Sequence, residues 1–382
     1  MEKMESEYRI CKRCIMDTSD PDIVFNDEGI CNHCLDFDKK VDSVWKPGKE
    51  GRRELEQIIN QIKQEQKDQE YDAVIGLSGG VDSSYLAFIA KKEFNLRLLA
   101  IHVDGGWNSE LAVKNIENIV SKLDIDLYTE VIDWEEMRDL QVAFLKSSVA
   151  NQDVPQDHAF FAALYKKAIE HGLRHVLSGG NFATESIMPF EWAYNAMDLT
   201  HLKSIHKKFG SIKLKTYPTV NFYDYYFKFP YLKKMTVTRP LNYWPYNKEE
   251  AIDILEKEVG FRYYGGKHFE SRFTKWQQLQ YRPEKFGYDE RRAYLSSLIL
   301  ANQMTREQAL DELKNFEYPE AKRKEDAEYV QKKLNLSNEE FDKILALPPK
   351  TFRDYPSEFG LFQKKEKFKN FMGKLGIKFK GK

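Results

Sequence analysis

Beyond residue 34 the chain contains no cysteine. That absence excludes a disulfide framework over most of its length, and any reaction needing a thiol nucleophile there. Long apolar runs are missing too, and none approaches the ~20 residues of a membrane-spanning helix. No charge of one sign dominates: 59 Lys and Arg face 60 Asp and Glu, for a net charge of −1. Such a balance gives no global field favouring nucleic acid. The acidic opening Met1-Glu2-Lys3-Met4-Glu5-Ser6-Glu7 lacks the basic and apolar regions of a signal peptide, so a cytoplasmic protein is expected. What the 382 residues do hold is a 42% hydrophobic and 14% aromatic share, enough core for one large domain or two ordinary ones.

The cysteines that are present form Cys11-x-x-Cys14 and Cys31-x-x-Cys34. Two such knuckles match a closed, four-thiolate zinc site. A redox role is the competing reading, but a thioredoxin-like motif occurs once and inside a βαβ unit. His33 lies within the second knuckle, and a full cysteine quartet leaves it a supporting or exposed role. A closed site has no open coordination position, so the metal is expected to staple a loop-rich segment, with a binding energy on the order of 10 kcal/mol.

Residues 73–84 read Ala-Val-Ile-Gly-Leu-Ser-Gly-Gly-Val-Asp-Ser-Ser. A short apolar run predicts a buried strand, Ser78-Gly79-Gly80 a turn, and Val81 onward a helix. Unpaired N–H groups at a helix N-terminus bind phosphate. The Gly-Lys-Ser/Thr ending of a Walker A loop is missing, so ordinary kinase chemistry is not indicated. The stretch resembles instead the Ser-Gly-Gly-x-Asp-Ser loop of the ATP pyrophosphatases, which split ATP into AMP and pyrophosphate. A plain tight βα turn is the alternative.

Further strands are expected at 96–103, 126–131 and 174–178, with helices at 81–93, 109–123, 135–148 and 156–171. The alternation predicts an α/β fold with a doubly wound, mainly parallel sheet. Ligands in such sheets lie at the carboxyl ends of strands. Here those ends are Ser78-Gly79-Gly80, His102-Val103-Asp104-Gly105-Gly106 and Ser178-Gly179-Gly180-Asn181. A charged helix over 52–69 is read as solvated. The division expected is a zinc module at 1–45, a pyrophosphatase core at 46–190, and an aromatic insertion with a mainly helical C-terminal region at 191–382. Asn247-Lys-Glu-Glu250 opens a helix, and smaller helices are expected over 305–316 and 337–345. The lysine-rich segment from Lys364 reads as a solvated end or a partner-binding one.

Splitting ATP between its α and β phosphates needs backbone donors, Mg²⁺ and basic side chains. Ser78, Gly79, Gly80, Ser83 and Ser84 supply donors and hydroxyls, with Gly179 and Gly180 opposite. Asp82 is expected to orient the loop or hold metal, its alternative being a role at the helix terminus. Asp104 is placed to meet the adenosine half, whereas His102 reads as a lining residue. Asn181 and Glu185 are candidates for holding Mg²⁺ or the reacting amide, with a helix cap as the alternative.

The opening Cys-Lys-Arg-Cys-Ile-Met-Asp-Thr-Ser-Asp-Pro, the downstream Cys-Asn-His-Cys, the Ser-Gly-Gly-Val-Asp-Ser loop, Tyr264-Gly-Gly-Lys-His-Phe-Glu-Ser-Arg-Phe-Thr-Lys275 and Arg291-Arg-Ala-Tyr-Leu-Ser-Ser-Leu-Ile299 together resemble the bacterial N-acetyl sugar amidotransferases. The resemblance covers nearly the whole chain. It implies ATP-dependent conversion of a sugar acetamido group to acetamidino through an O-adenylyl imidate, in surface polysaccharide (O-antigen) or flagellar nonulosonic acid biosynthesis. Lys275 is then a catalytic candidate, and Lys267, Arg272, Arg291 and Arg292 are candidates for holding phosphate or a nucleotide sugar; each taken singly is an ordinary surface charge. The cysteine count leaves no thiol for glutamine hydrolysis or for persulfide chemistry. The implied ammonia source is a separate class I glutaminase, with or without a cyclase-like channelling subunit, or free ammonia. Two other readings stand beside this one: a tRNA-modifying pyrophosphatase, and a zinc-ribbon scaffold without chemistry.

Overall fold

The computed structural model describes residues 8–374, with side chains to residue 369. The acidic opening before Tyr8 and the end of the lysine-rich segment lie outside the described residues. In chain order the elements are α1 (Asn32–Val44), α2 (Lys49–Glu65), β1 (Ala73–Gly76), α3 (Val81–Lys92), β2 (Leu98–Asp104), α4 (Glu110–Leu123), β3 (Asp126–Val131), α5 (Trp134–Ser147), α6 (Val154–Glu170) and β4 (His175–Leu177). There follow α7 (Phe182–Glu185), α8 (Leu199–Phe209), a π-helix (Asp224–Leu232), β5 (Thr236–Thr238), α9 (Lys248–Val259) and α10 (Arg272–Trp276). The C-terminal part is helical: α11 (Arg282–Phe286), α12 (Arg291–Leu300), α13 (Arg306–Asn315), α14 (Glu320–Lys333), α15 (Asn338–Leu345) and α16 (Phe359–Lys374).

The five strands form one parallel sheet in the order β3-β2-β1-β4-β5. Because side chains alternate along a strand, β1 feeds two cores. Ala73, Ile75 and Leu77 pack under α2, α3, α4 and α9, while Val74 packs under α6 with Phe229 of the π-helix. The sheet is thus doubly wound. The helix read as solvated at 52–69 is instead amphipathic: Leu55, Ile59 and Ile62 are buried in the first core. Strand β5 continues the sheet from within the region read as an aromatic insertion, pairing His175–Leu177 with Thr236–Thr238.

The chain builds β1, β2 and β3 outward in one direction, then returns to place β4 on the free side of β1. The loops after β1 and β4 therefore leave in opposite directions, opening a crevice at the topological switch point.

Candidate active site

Two Ser-Gly-Gly turns face each other across that crevice. After β1, the Gly80 N–H donates to Ser78 Oγ at 3.2 Å; after β4, the Gly180 N–H donates to Ser178 Oγ at 3.3 Å. No side chain caps α3, whose N-cap residue is Gly80, so its first-turn amides face the crevice as an anion site. One of them, the Val81 N–H, donates to the Tyr264 hydroxyl at 3.3 Å. The approach of the turns is close: a Cβ on Gly179 would lie 3.0 Å from the Ser83 nitrogen. Gly79 has φ +79°, and a Cβ there would lie 2.5 Å from the Ala112 carbonyl oxygen, so the position requires glycine.

A cavity of about 520 Å³ opens from these turns, lined among others by Ser78, Gly80, Asp82, Ser83, Gly179, Gly180, Glu185 and Lys267. Lys267 is its electrostatic centre. Its Nζ lies 3.0 Å from Glu185 Oε1, 3.1 Å from Thr184 Oγ1 and 3.7 Å from Asp82 Oδ2. Burial opposes its charge, but Glu185 and Asp82 outweigh that penalty and hold the ammonium above its ordinary range. Burial likewise opposes the Glu185 carboxylate, and Lys267 overcomes it, lowering the pKa. The Glu185 side chain is 37% exposed and opens onto the cavity. Asp82 accepts bonds from the Tyr246 hydroxyl and from Asn181 Nδ2 at 3.3 Å. Asn181 also caps α7 through Thr184, so the cap and the contact with Asp82 coexist.

Several cavity residues were not singled out from the sequence. Lys248, Arg239 and His268 bring positive charge, and Glu270 answers His268 at 3.7 Å. Burial depresses Lys248, and Lys267 adds to the effect. His268 has φ +64°, a left-handed strain that a non-glycine residue rarely carries. The far wall carries Asp153 and Asp157, one turn apart on or beside α6. Enclosure by the cavity walls, reinforced by Asp153, pushes Asp157 up to about 7, although the side chain is open to the cavity's solvent. The Tyr264–Lys275 segment could have signalled His268 and Glu270, since polar residues there follow paired glycines. Arg239 and Lys248 carried no local signal.

Other expected site residues lie elsewhere. Ser84 is fully buried in α3 with its Oγ unpartnered, because it points to the inner side of the helix. Asp104 turns back on its own loop, accepting from the Gly106 N–H at 2.8 Å and Asn108 Nδ2 at 3.2 Å, and does not line the cavity. Lys275 pairs with Asp326 of α14 at 2.7 Å, and Arg272 lies 3.7 Å from the same carboxylate with its guanidinium over Tyr329. Arg291 pairs with Asp289 at 2.5 Å and covers Phe316. Arg292 pairs with Asp17 at 2.9 Å and donates to the Ile15 carbonyl. None of these four cations lines the cavity. Each ties together helices or loops of the C-terminal region or the N-terminal module.

The four cysteines are fully buried, and their sulfurs all lie within 4.8 Å of one another. Cys11–Cys34, Cys14–Cys31 and Cys31–Cys34 stand at 3.8, 3.6 and 3.7 Å. A tetrahedron with bonds of about 2.3 Å has edges of about 3.8 Å, so the cluster fits zinc. The Cys31 and Arg13 N–H groups point at Cys11 Sγ, as a thiolate needs. His33 stays outside, bonded to Asp20 at 2.6 Å. Arg306 donates to the Cys11 and Cys14 carbonyls, both at 3.0 Å, which fastens the knuckle to α13. Phe37 stacks on Phe182 of α7 at 4.9 Å, and Ser297 of α12 accepts the Ile187 N–H at 3.0 Å. The knuckle and α12 thus back the short helix that presents Glu185.

Parts of the chain are similar to known proteins. A family model for NAD synthase matches residues 53–210. Another, described as LPS biosynthesis protein WbpG-like, C-terminal domain, matches residues 270–375. A glutamine-hydrolysing GMP synthase of Aeropyrum pernix is 26% identical over 133 residues, 35% of this chain and 23% of that protein. The chain therefore spans less than a quarter of that curated relative. Among solved structures, the NH3-dependent NAD synthetase of Campylobacter jejuni is 15% identical, with 41% of this chain and 72% of that one covered and a TM-score of 0.29. NMN synthetase of Francisella tularensis is 16% identical, with 78% and 98% covered and a TM-score of 0.34. The NAD synthase match spans the loop at residues 78–83 and strands β1 to β4. The WbpG-like match is a likeness of the helical C-terminal region.

Proposed function

We propose that this chain is an ATP-dependent amidotransferase that turns the acetamido group of an N-acetylated sugar or nucleotide sugar into an acetamidino group. The observation that carries the reading is the pair of Ser-Gly-Gly turns enclosing Asp82, Glu185 and Lys267 at the sheet's switch point. The WbpG-like C-terminal match supports a role in lipopolysaccharide or related surface-sugar synthesis.

A neutral amide is a poor electrophile, so its oxygen must first become a leaving group. The amide oxygen attacks the α-phosphorus of ATP, the bond to pyrophosphate breaks and the amide proton is lost, leaving an O-adenylyl imidate. Ammonia then adds to the imidate carbon, AMP departs and the amidine forms. The open amides of α3 and the charge of Lys267 would stabilise the departing pyrophosphate, and Arg239, Lys248 and His268 add positive charge around it. Asp82 and Glu185 would hold Mg²⁺ with ATP. Bound there, Mg²⁺ would neutralise phosphate charge. The cysteine quartet is assigned to structural zinc. With every thiol in that cluster, ammonia would come from a separate glutaminase or from solution.

The test is incubation with ATP, Mg²⁺, ammonium and a panel of free, UDP-linked and CMP-linked N-acetyl sugars. AMP, pyrophosphate and a product with one oxygen replaced by NH support the reading. ADP as the sole nucleotide product, or no turnover on any sugar, sinks it.

A further inference from the structure

The excess of basic over acidic residues is concentrated in two segments of this nearly neutral chain. From Lys203 to Arg239 the sole acidic residue is Asp224, and from Leu361 to the last residue the sole acidic one is Glu366. With a net charge of −1 overall, the rest of the chain carries the compensating acidic excess. The fold joins these two basic segments. The Phe362 ring of α16 packs 5.4 Å from Phe222 and 5.4 Å from Tyr226, and Lys365 Nζ lies 3.9 Å over the Tyr226 ring.

Large apolar side chains stand open on the same two elements. Tyr223 is 58% exposed, Phe227 43%, Tyr231 44% and Leu232 66%, and Leu361 on α16 is 48% exposed. Tyr223, Phe227 and Tyr231 recur every fourth residue, close to the repeat of a π-helix, so they run along one side of it. Tyr223 and Phe227 stack at 6.1 Å, and Phe227 lies 6.1 Å from the Phe222 ring that meets α16. Lys233 and Lys234 follow directly, both exposed. A stacked aromatic row with exposed leucines and lysines on the same two elements is costly to leave in water and marks an interaction surface.

We propose that this face seats the protein on an anionic lipid bilayer. Lysine ammoniums would meet lipid phosphates, while the tyrosine and phenylalanine rings and the two leucines enter the headgroup boundary. No helix among the described residues is long and apolar enough to cross a membrane, so the attachment is to the surface. Single-stranded nucleic acid fits less well. The rim is lysine, without the guanidinium planes that stack on bases and grip phosphate in pairs. Leu232 and Leu361 offer a base no ring to stack on.

The experiment is vesicle flotation of the full chain. Phosphatidylcholine vesicles with about one-third phosphatidylglycerol should carry about tenfold more protein than pure phosphatidylcholine at about 0.1 M salt, and the excess should vanish at about 0.5 M. Phe227→Ser with Leu232→Ser, and separately Lys233→Glu with Lys234→Glu, should each cut flotation about tenfold, with thermal melting and ATP turnover as in the parent. The charge-reversal pair lies at exposed positions and guards against a folding defect in the apolar pair. Equal flotation with both lipids, none with either, no loss in the charge-reversal pair, or displacement by single-stranded RNA at equal phosphate would overturn the proposal.

Discussion

Asp82 sits where three kinds of contact meet: a tyrosine hydroxyl, the Asn181 amide and the Lys267 ammonium. Removing it leaves Lys267 still paired with Glu185, so no buried charge is stranded. Asp82→Ala is therefore expected to abolish AMP formation while melting within about 2 °C of the parent, checked by AMP assay and calorimetry. Asp157 makes a different prediction. Its folded pKa is raised to about 7 by desolvation within the cavity and by Asp153, so the fold favours the neutral acid; the side chain is exposed to solvent there, which screens the effect and keeps its contribution to stability small. Stability on this account is greatest below the ordinary carboxylate pKa of about 4, falls as pH climbs toward about 7, and is flat above. Melting curves should show Asp157→Asn gaining on the parent at pH 8 more than at pH 5. An equal difference at both values would remove Asp157 from this role.

At the scale of elements, the two Ser-Gly-Gly turns work only if they approach closely. Gly179→Ala places a Cβ 3.0 Å from the α3 backbone and should push the turns apart. An assay should find AMP formation down about tenfold or more, with little change in melting. The knuckle acts from behind α7. Cys14→Ser should lower metal content from about one zinc per chain toward zero and the melting temperature by about 5 °C or more, read by metal analysis and calorimetry. Strands β1, β2 and β4 were legible because each is an apolar run closed by a polar, glycine-bearing turn. Strand β5 was not: its three residues, Thr236–Thr238, follow an aromatic stretch and present no period of their own. Helix α2 was misread because its charged residues outnumber the three apolar ones it buries.

For the whole molecule, the loop at residues 78–83, the facing turn at 178–180 and the cysteine quartet could be read from the sequence, since local spacing sets their geometry. The cations could not. Lys267 was named and lines the cavity, whereas Arg272, Lys275, Arg291 and Arg292 pair with carboxylates within the protein, and Arg239 and Lys248 line the cavity unannounced. A lysine or arginine looks the same in sequence whether it meets a ligand or a neighbouring helix; long-range packing decides. The central claim is that ATP is spent on adenylating an amide oxygen in the crevice between β1 and β4. It is tested most directly by supplying an N-acetyl sugar labelled with ¹⁸O in the acetamido carbonyl, with ATP and ammonium, and weighing the AMP. The label should appear in the AMP phosphate in step with amidine formation. Unlabelled AMP, or ADP in its place, would contradict the account.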